Sequence, residues 1–102
     1  MSETSYYLTL TELTQCVRLS TDTIVTIVDC GIVEPRGARP QQWQFEPQMV
    51  ELIQRACRLQ QDLELDWPAV ALALELIEEV KQLRGENERL RRQLACLMDV
   101  GA

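Results

Sequence analysis

From Trp67 to about Met98 the sequence offers no strong helix stop, which predicts one helix of roughly 30 residues and roughly 45 Å. A small domain cannot bury a helix of that length by itself. Along it, Leu76, Val80, Leu83, Asn87, Leu90, Leu94 and Leu97 are spaced by steps of 4, 3, 4, 3, 4 and 3. That is the seam of a coiled coil, with Asn87 in an a-like position, where one polar residue fixes register or partner number if it finds a polar mate. Gly85 opposes the reading, since glycine in a helix interior costs about 1 kcal/mol relative to alanine. Two arrangements meet the pattern: pairing with a second copy, or a monomer whose helix folds back on its own head. Sedimentation at micromolar concentration separates them.

The remaining sequence reads as a head, residues 1–66, joined to the helix of residues 67–102. Thr9 and Glu12 form a capping-box pattern, and Leu10, Leu13 and Val17 give the first helix one apolar face. A second helix follows from Ser20, with Ile24, Ile27 and Val28 at helical spacing and Gly31 at the expected stop. After Pro35, the stretch Arg36–Pro40 is a loop by composition. Gln41-Gln42-Trp43-Gln44-Phe45 then alternates with period two and reads as a short strand, so a wing of two or three strands is expected after the two short helices. Pro47 opens a third helix whose stripe is Val50, Ile53, Ala56, Cys57 and Leu59, ending near Leu63–Leu65. Asp66 is placed to cap the long helix, with Trp67-Pro68 at its start.

This layout is that of a helix-turn-helix, and the second helix would be the one that enters a DNA groove. Its ionisable groups before Glu34 are Asp22, Asp29 and Cys30. Duplex binding draws most of its affinity from Lys and Arg neutralising phosphates, so the scaffold and its chemistry disagree. The net charge of −6 is unevenly spread. Residues 1–34 set Glu3, Glu12, Asp22, Asp29 and Glu34 against Arg18, and residues 61–80 hold six acids and no base. Residues 35–60 and 81–102 each carry a net +2. Such a surface repels nucleic acid and anionic membrane over much of its area and attracts a basic partner. Arg36 and Arg39 in the wing are the candidates for residual DNA contact, while Arg55 and Arg58 are expected to pair with neighbouring acids.

The four cysteines, Cys16, Cys30, Cys57 and Cys96, lack short metal-type spacing, and there is no histidine to complete a zinc site. They are expected to be reduced and mostly buried in a cytoplasmic chain without signal peptide or transmembrane run. No metal or other cofactor is expected. Neither a Gly-rich phosphate loop nor a nucleophile with an identifiable base is present, and Glu78-Glu79 diverge around a helix, so no enzymatic activity is expected.

Residues 23–33, Thr-Ile-Val-Thr-Ile-Val-Asp-Cys-Gly-Ile-Val, align without gaps on the MerR-type pattern Thr-Ile-Arg-Tyr-Tyr-Glu-x-x-Gly-Leu-Leu. The chain thus resembles that family, and the resemblance implies a mainly α fold: a MerR-like winged helix-turn-helix head with a long C-terminal coiled-coil helix. The departures fall on DNA-facing positions, with Val25 for the arginine, Thr26 and Ile27 for the tyrosines, and Trp43-Gln44-Phe45 where the family has Arg-x-Tyr. Gly31–Pro35, Trp43–Phe45, Gln54–Leu59, Glu86–Leu94 and above all Asp62-Leu63-Glu64-Leu65-Asp66-Trp67-Pro68 resemble the CbpM family of bacterial chaperone modulators. That resemblance implies a partner, the J-domain of the DnaJ-like co-chaperone CbpA, and inhibition of that co-chaperone by blocking its interaction with DnaK. A MerR-like DNA-binding regulator is the alternative. J-domains present a basic helix, which fits the acidic surfaces. Candidate partner-binding residues are Asp22, Asp29 and Glu34 around the second helix, and Asp62, Glu64, Asp66 and Trp67 at the junction. Trp67 reads either as the apolar anchor or as a structural residue locking the last two helices. The dimerising seam is Leu76, Val80, Leu83, Asn87, Leu90, Leu94 and Leu97. Its strand direction is open: the MerR resemblance implies antiparallel, whereas a lone Asn at an a-like position suits a parallel zipper.

Overall fold

In the computed structural model, which describes residues 6–101, four α-helices run in order: α1 Leu10–Val17, α2 Thr21–Asp29, α3 Pro47–Leu63 and α4 Trp67–Gly101. Their ends follow local chemistry. The Thr9 hydroxyl accepts the Glu12 N–H at 3.1 Å and the Glu12 carboxylate accepts the Thr9 N–H at 2.9 Å, completing the capping box of α1. The Ser20 hydroxyl accepts the Thr23 N–H at 3.2 Å and starts α2. Gly31, with φ of 80°, closes α2: its own N–H donates to Val28 and the Ile32 N–H donates to Ile27, the paired bonds of a Schellman end. Pro47 occupies the first turn of α3.

The chain divides into two compact units, Met1–Leu72 and Ala73–Ala102. In the first, α1 packs on both α2 and α3. The core consists of Leu13, Ile24, Ile27, Ile32, Val33, Phe45, Ile53, Ala56 and Val70. The centres of the first three helices' stripes are therefore buried, with Leu10, Val17, Val28, Val50, Cys57 and Leu59 half-buried at their margins, and no side-chain polar atom among the described residues is buried without a partner. In the second unit every described residue from Leu83 to Asp99 is exposed.

The expected strand wing is absent among the described residues. In its place are two isolated antiparallel bridges, Leu8 with Phe45 and Arg36 with Gln44, and a 3-10 turn at Pro40–Gln42. The physical reason is local. Pro40 has no N–H to give a ladder and opens the 3-10 turn, which takes Gln41 and Gln42 out of the extended run. Only Gln44 and Phe45 remain to pair, and they pair with different segments. Gly37 makes the connecting turn possible: its φ is 118°, and a Cβ there would overlap the Gln42 carbonyl and sit 3.2 Å from Trp43 Cα. The aromatic pair is still used. Phe45 is fully buried, and Trp43 meets it edge-on with centroids 5.9 Å apart.

The cysteines also depart from expectation. All four are free, but none is fully buried: Cys16 and Cys96 are exposed, Cys30 and Cys57 half-buried. Cys16 and Cys96 occupy outward positions of α1 and α4, where a small thiol has no core to enter. Among the described residues no helix is long and apolar enough to cross a membrane.

Candidate functional site

Two acidic surfaces lie on the first unit. On α2, Ile24 and Ile27 fill the core, so the opposite face carries Asp22, Thr26 and Asp29, all exposed. Steps of four and three put these residues on one stripe. Thr26 ties itself to the helix by donating its hydroxyl to the Asp22 carbonyl at 3.0 Å. This is the face a DNA-binding helix would present, and it offers two carboxylates and no base. Glu34 is exposed just beyond the buried pair Ile32-Val33.

The second surface is the corner between α3 and α4. Asp62 is exposed in the last turn of α3, and Glu64 is exposed in the left-handed conformation with φ of 52°. Asp66 is exposed and caps α4: its carboxylate Oδ1 accepts the Ala69 N–H at 3.0 Å, as expected from sequence. Trp67, at the first position of α4, is half-buried, so it has both a packed part and an accessible part.

These acids differ in what the fold asks of them. Asp22 lies in the first turn of α2 and Asp66 caps α4, both places where helix termini favour a negative charge. Asp29 and Asp62 lie in last turns, where the helix dipole disfavours an acid by about 0.3–1 kcal/mol. Glu64 holds a backbone conformation in which a side chain is strained by about 1–2 kcal/mol. Local folding therefore explains Asp22 and Asp66, and does not explain Asp29, Asp62 or Glu64.

The corner also contains a residue that the sequence did not reveal. Leu63 is 59% exposed between Asp62 and Glu64. It lies two turns beyond buried Ala56 on the same helical face, so periodicity alone assigns it to the core. Because α3 stops there, the packing stops one turn earlier.

Among the described residues, the one ion pair is between Arg92 and Glu88 on α4, at 4.0 Å with both side chains largely exposed. None of the candidate acids is neutralised by such a pair. Arg55 and Arg58, expected to pair with acids, are likewise exposed and outside any ion pair. The i,i+4 geometry puts Glu51 one turn from Arg55, but two long exposed side chains gain too little to hold one arrangement. Of the wing arginines, Arg36 lies over the Tyr7 ring with its guanidinium carbon 5.2 Å from the centroid. Arg39 is exposed. No group of three or more metal-ligating side chains occurs among the described residues.

On α4, the seam forms an apolar stripe, broken at Asn87, that is open to solvent. Leu76 is 52% exposed, Val80 44%, Leu83 61%, Leu90 57%, Leu94 58% and Leu97 68%. Asn87 is exposed within it, and Val80, Leu83, Asn87 and Leu90 line one shallow groove.

Comparison with known proteins agrees with this layout. A family described as MerR HTH family regulatory protein matches residues 8–92. The chain is 50% identical over 82 residues to the chaperone modulatory protein CbpM of Pseudomonas putida (strain GB-1), covering 80% of this chain and 81% of that one. It is 49% identical over 82 residues to its namesake from Pseudomonas entomophila (strain L48), with the same coverage. It is 36% identical over 95 residues to that of Escherichia coli O139:H28 (strain E24377A / ETEC), covering 93% of this chain and 94% of the relative. Neither description is that of an enzyme. A mainly helical head built around α1 and α2, a family match that covers most of the chain, and relatives that share one name lead to one conclusion: the chain belongs to the MerR helix-turn-helix regulatory family and, within it, to the CbpM chaperone modulatory proteins.

Proposed function

We propose that this protein binds the J-domain of a DnaJ-like co-chaperone, CbpA, and inhibits it by covering the basic surface that the J-domain uses to engage DnaK. The single observation that carries the reading is the α3–α4 corner. There Asp62 and Glu64 stand exposed against local folding preference on either side of exposed Leu63, beside half-buried Trp67. Acidic groups steer a basic partner and reject wrong ones. Each exposed charge pair contributes only about 0.2–1 kcal/mol, so an apolar anchor has to supply the rest. Leu63 and the accessible part of Trp67 are that anchor. Asp22, Asp29 and Glu34 form a second acidic face that adds to the steering field. The relatives' name, chaperone modulatory protein, supports the class of partner.

The working unit is a cytoplasmic homodimer with a head of residues 1–66 and a dimerising helix of residues 67–102. Four free thiols favour a reducing compartment, and a stripe of exposed leucines favours a second helix. The second reading, a DNA-binding regulator, is favoured by the regulatory-family match and opposed by the acidic outward face of α2.

Titration of an isolated J-domain by calorimetry and stopped flow tests the proposal. Asp62→Lys with Glu64→Lys is expected to weaken binding about tenfold or more, chiefly through the on-rate. Asp22→Lys with Asp29→Lys should weaken it less. If both double reversals leave affinity unchanged, electrostatic capture is wrong. Tight, salt-sensitive retardation of duplex DNA by the unaltered chain would favour the second reading instead.

A further inference from the structure

We infer that Arg55 and Arg58 receive carboxylates of the same J-domain whose bases meet the α3–α4 corner, so that the pair selects a bipolar partner over a uniformly basic one. The inference rests on the proposed J-domain binding and adds a reason why one basic protein is chosen among many. Along the outer face of α3, Glu51, Arg55, Arg58 and Asp62 follow steps of 4, 3 and 4. They form one stripe whose charges run negative, positive, positive, negative. All four residues are exposed.

Local folding does not account for the two arginines. They lie inside a 17-residue helix, short of the last turn, where the helix dipole favours a base. Two like charges three residues apart repel each other weakly. Each arginine has an acid one turn away, Glu51 for Arg55 and Asp62 for Arg58, yet neither pair closes among the described residues. The Arg58–Asp62 order, base before acid, is the less favourable one on a helix. Both guanidiniums stay uncommitted beside a cavity of about 390 Å³ that Gln48, Glu51, Leu52 and Gln54 complete. Half-buried Leu52 gives it one apolar side, and the two glutamine amides can add donors to whatever the arginines hold.

Arginine holds carboxylates and phosphates through the same fork of N–H donors. The acids at either end of the stripe decide between the two. Glu51 and Asp62 are eleven residues apart, about 16 Å along the helix. A duplex carries one negative charge for about every 1.7 Å of its axis, so roughly ten charges span that length. Laid along the stripe, it would press phosphates against Glu51 and Asp62, with exposed Glu64 and Asp66 just beyond. One or two carboxylates on a folded protein fit between the acids without that repulsion. They lie roughly 6–10 Å along the helix from the bases that meet Asp62, the separation of Arg58 and Arg55 from it. An acidic corner alone attracts any basic surface. The arginine pair repels a uniformly basic one and fixes the orientation of a bipolar one, which is the repulsive element that specificity needs.

Calorimetric titration of the full chain separates bipolar selection from plain electrostatic attraction, because the two give opposite signs. Arg55→Glu with Arg58→Glu makes a chain of net charge −6 more acidic still. Plain attraction then tightens binding to any basic partner. Bipolar selection weakens binding to the isolated J-domain at least about tenfold, while binding to poly-lysine tightens. Arg55→Gln with Arg58→Gln adds no new acid to α3 and serves in case the reversed helix does not fold. It should weaken J-domain binding about threefold or more and leave poly-lysine binding equal or tighter. Unchanged or tighter J-domain binding by either folded variant overturns the inference and leaves J-domain binding itself standing. An unaltered chain that does not bind the J-domain is the separate failure of that reading, and the inference falls with it. Retardation of duplex DNA by the unaltered chain that the arginine substitutions abolish also overturns it, assigning the pair to phosphates.

Discussion

The two compact units of this chain obtain order from opposite sources. The first, through Leu72, closes its own core: Leu13, Ile24, Ile27, Phe45, Ile53, Ala56 and Val70 have no accessible surface. The second, from Ala73 onward, has an equally regular apolar stripe, yet every seam residue is exposed. Helix propensity alone sustains isolated helices poorly in water, so a stripe of this kind depends on another surface for its stability. One unit closes its own core, and the other leaves its apolar stripe open, which is the basis of the proposed pairing.

The sharpest way to break this contrast is to damage each unit and ask whether stability depends on protein concentration. Phe45→Ala removes a fully buried ring that meets Trp43 edge-on, and should cost about 3–5 kcal/mol whatever the concentration. Leu83→Glu with Leu90→Glu should leave the head's denaturation midpoint near its original value while abolishing assembly and any concentration dependence of the thermal midpoint. A Phe45→Ala head as stable as the original, or seam variants that unfold the head, would show that the two units do not draw on separate sources.

The same contrast explains what could be read from the sequence. The caps at Thr9, Gly31 and Asp66 and the buried centres of the stripes of α1, α2 and α3 were legible because each depends on residues close in sequence. The apolar spacing along α4 is local in the same way, while its role as a dimerising seam stays a proposal. The wing was not legible. Its period-two pattern is genuine, but Pro40 and the positive φ of Gly37 reshape the segment, and pairing with Leu8 links residues far apart in sequence. At the candidate site, the acids and Trp67 could be picked out by charge and by their place at a junction. Leu63 could not, because its exposure depends on where packing on α3 ends, and periodicity does not encode that.

Smaller effects come from backbone preferences, again one in each unit. Glu64→Gly removes left-handed strain at the corner and should stabilise the head by about 1 kcal/mol. Gly85→Ala adds a Cβ that meets nothing within 4 Å and should stabilise the helix by about 1 kcal/mol. Chemical denaturation of each variant checks both. The two differ in their consequence for function: Glu64→Gly also deletes a proposed contact, so stability should rise while J-domain affinity falls. Gly85→Ala should raise stability and leave affinity alone. A Glu64→Gly chain with undiminished affinity would assign that strain to the fold and remove Glu64 from the site.

The smallest expected effect separates two thiols, Cys57 in the head and Cys96 on the open helix. Burial pushes the Cys57 thiol above its ordinary value of 9.0, because the partly desolvated site disfavours the thiolate. The folded chain therefore holds this proton more tightly than the unfolded chain. The Cys57 contribution to stability is full below the ordinary thiol value and is lost as pH rises toward and through the raised value. Folding stability should decline gently above about pH 9, and Cys57→Ala should flatten that decline. Reaction with an aromatic disulfide reagent near pH 8 gives a second readout, since the thiolate is the reactive form. Exposed Cys16 and Cys96 should react in the fast phase and Cys57 in the slow one. Unfolding should bring Cys57 up to the fast rate. Were Cys57 to react as fast as Cys96 in the folded chain, its side of α3 would have to be more open than the packing of Ile53 and Ala56 beside it allows.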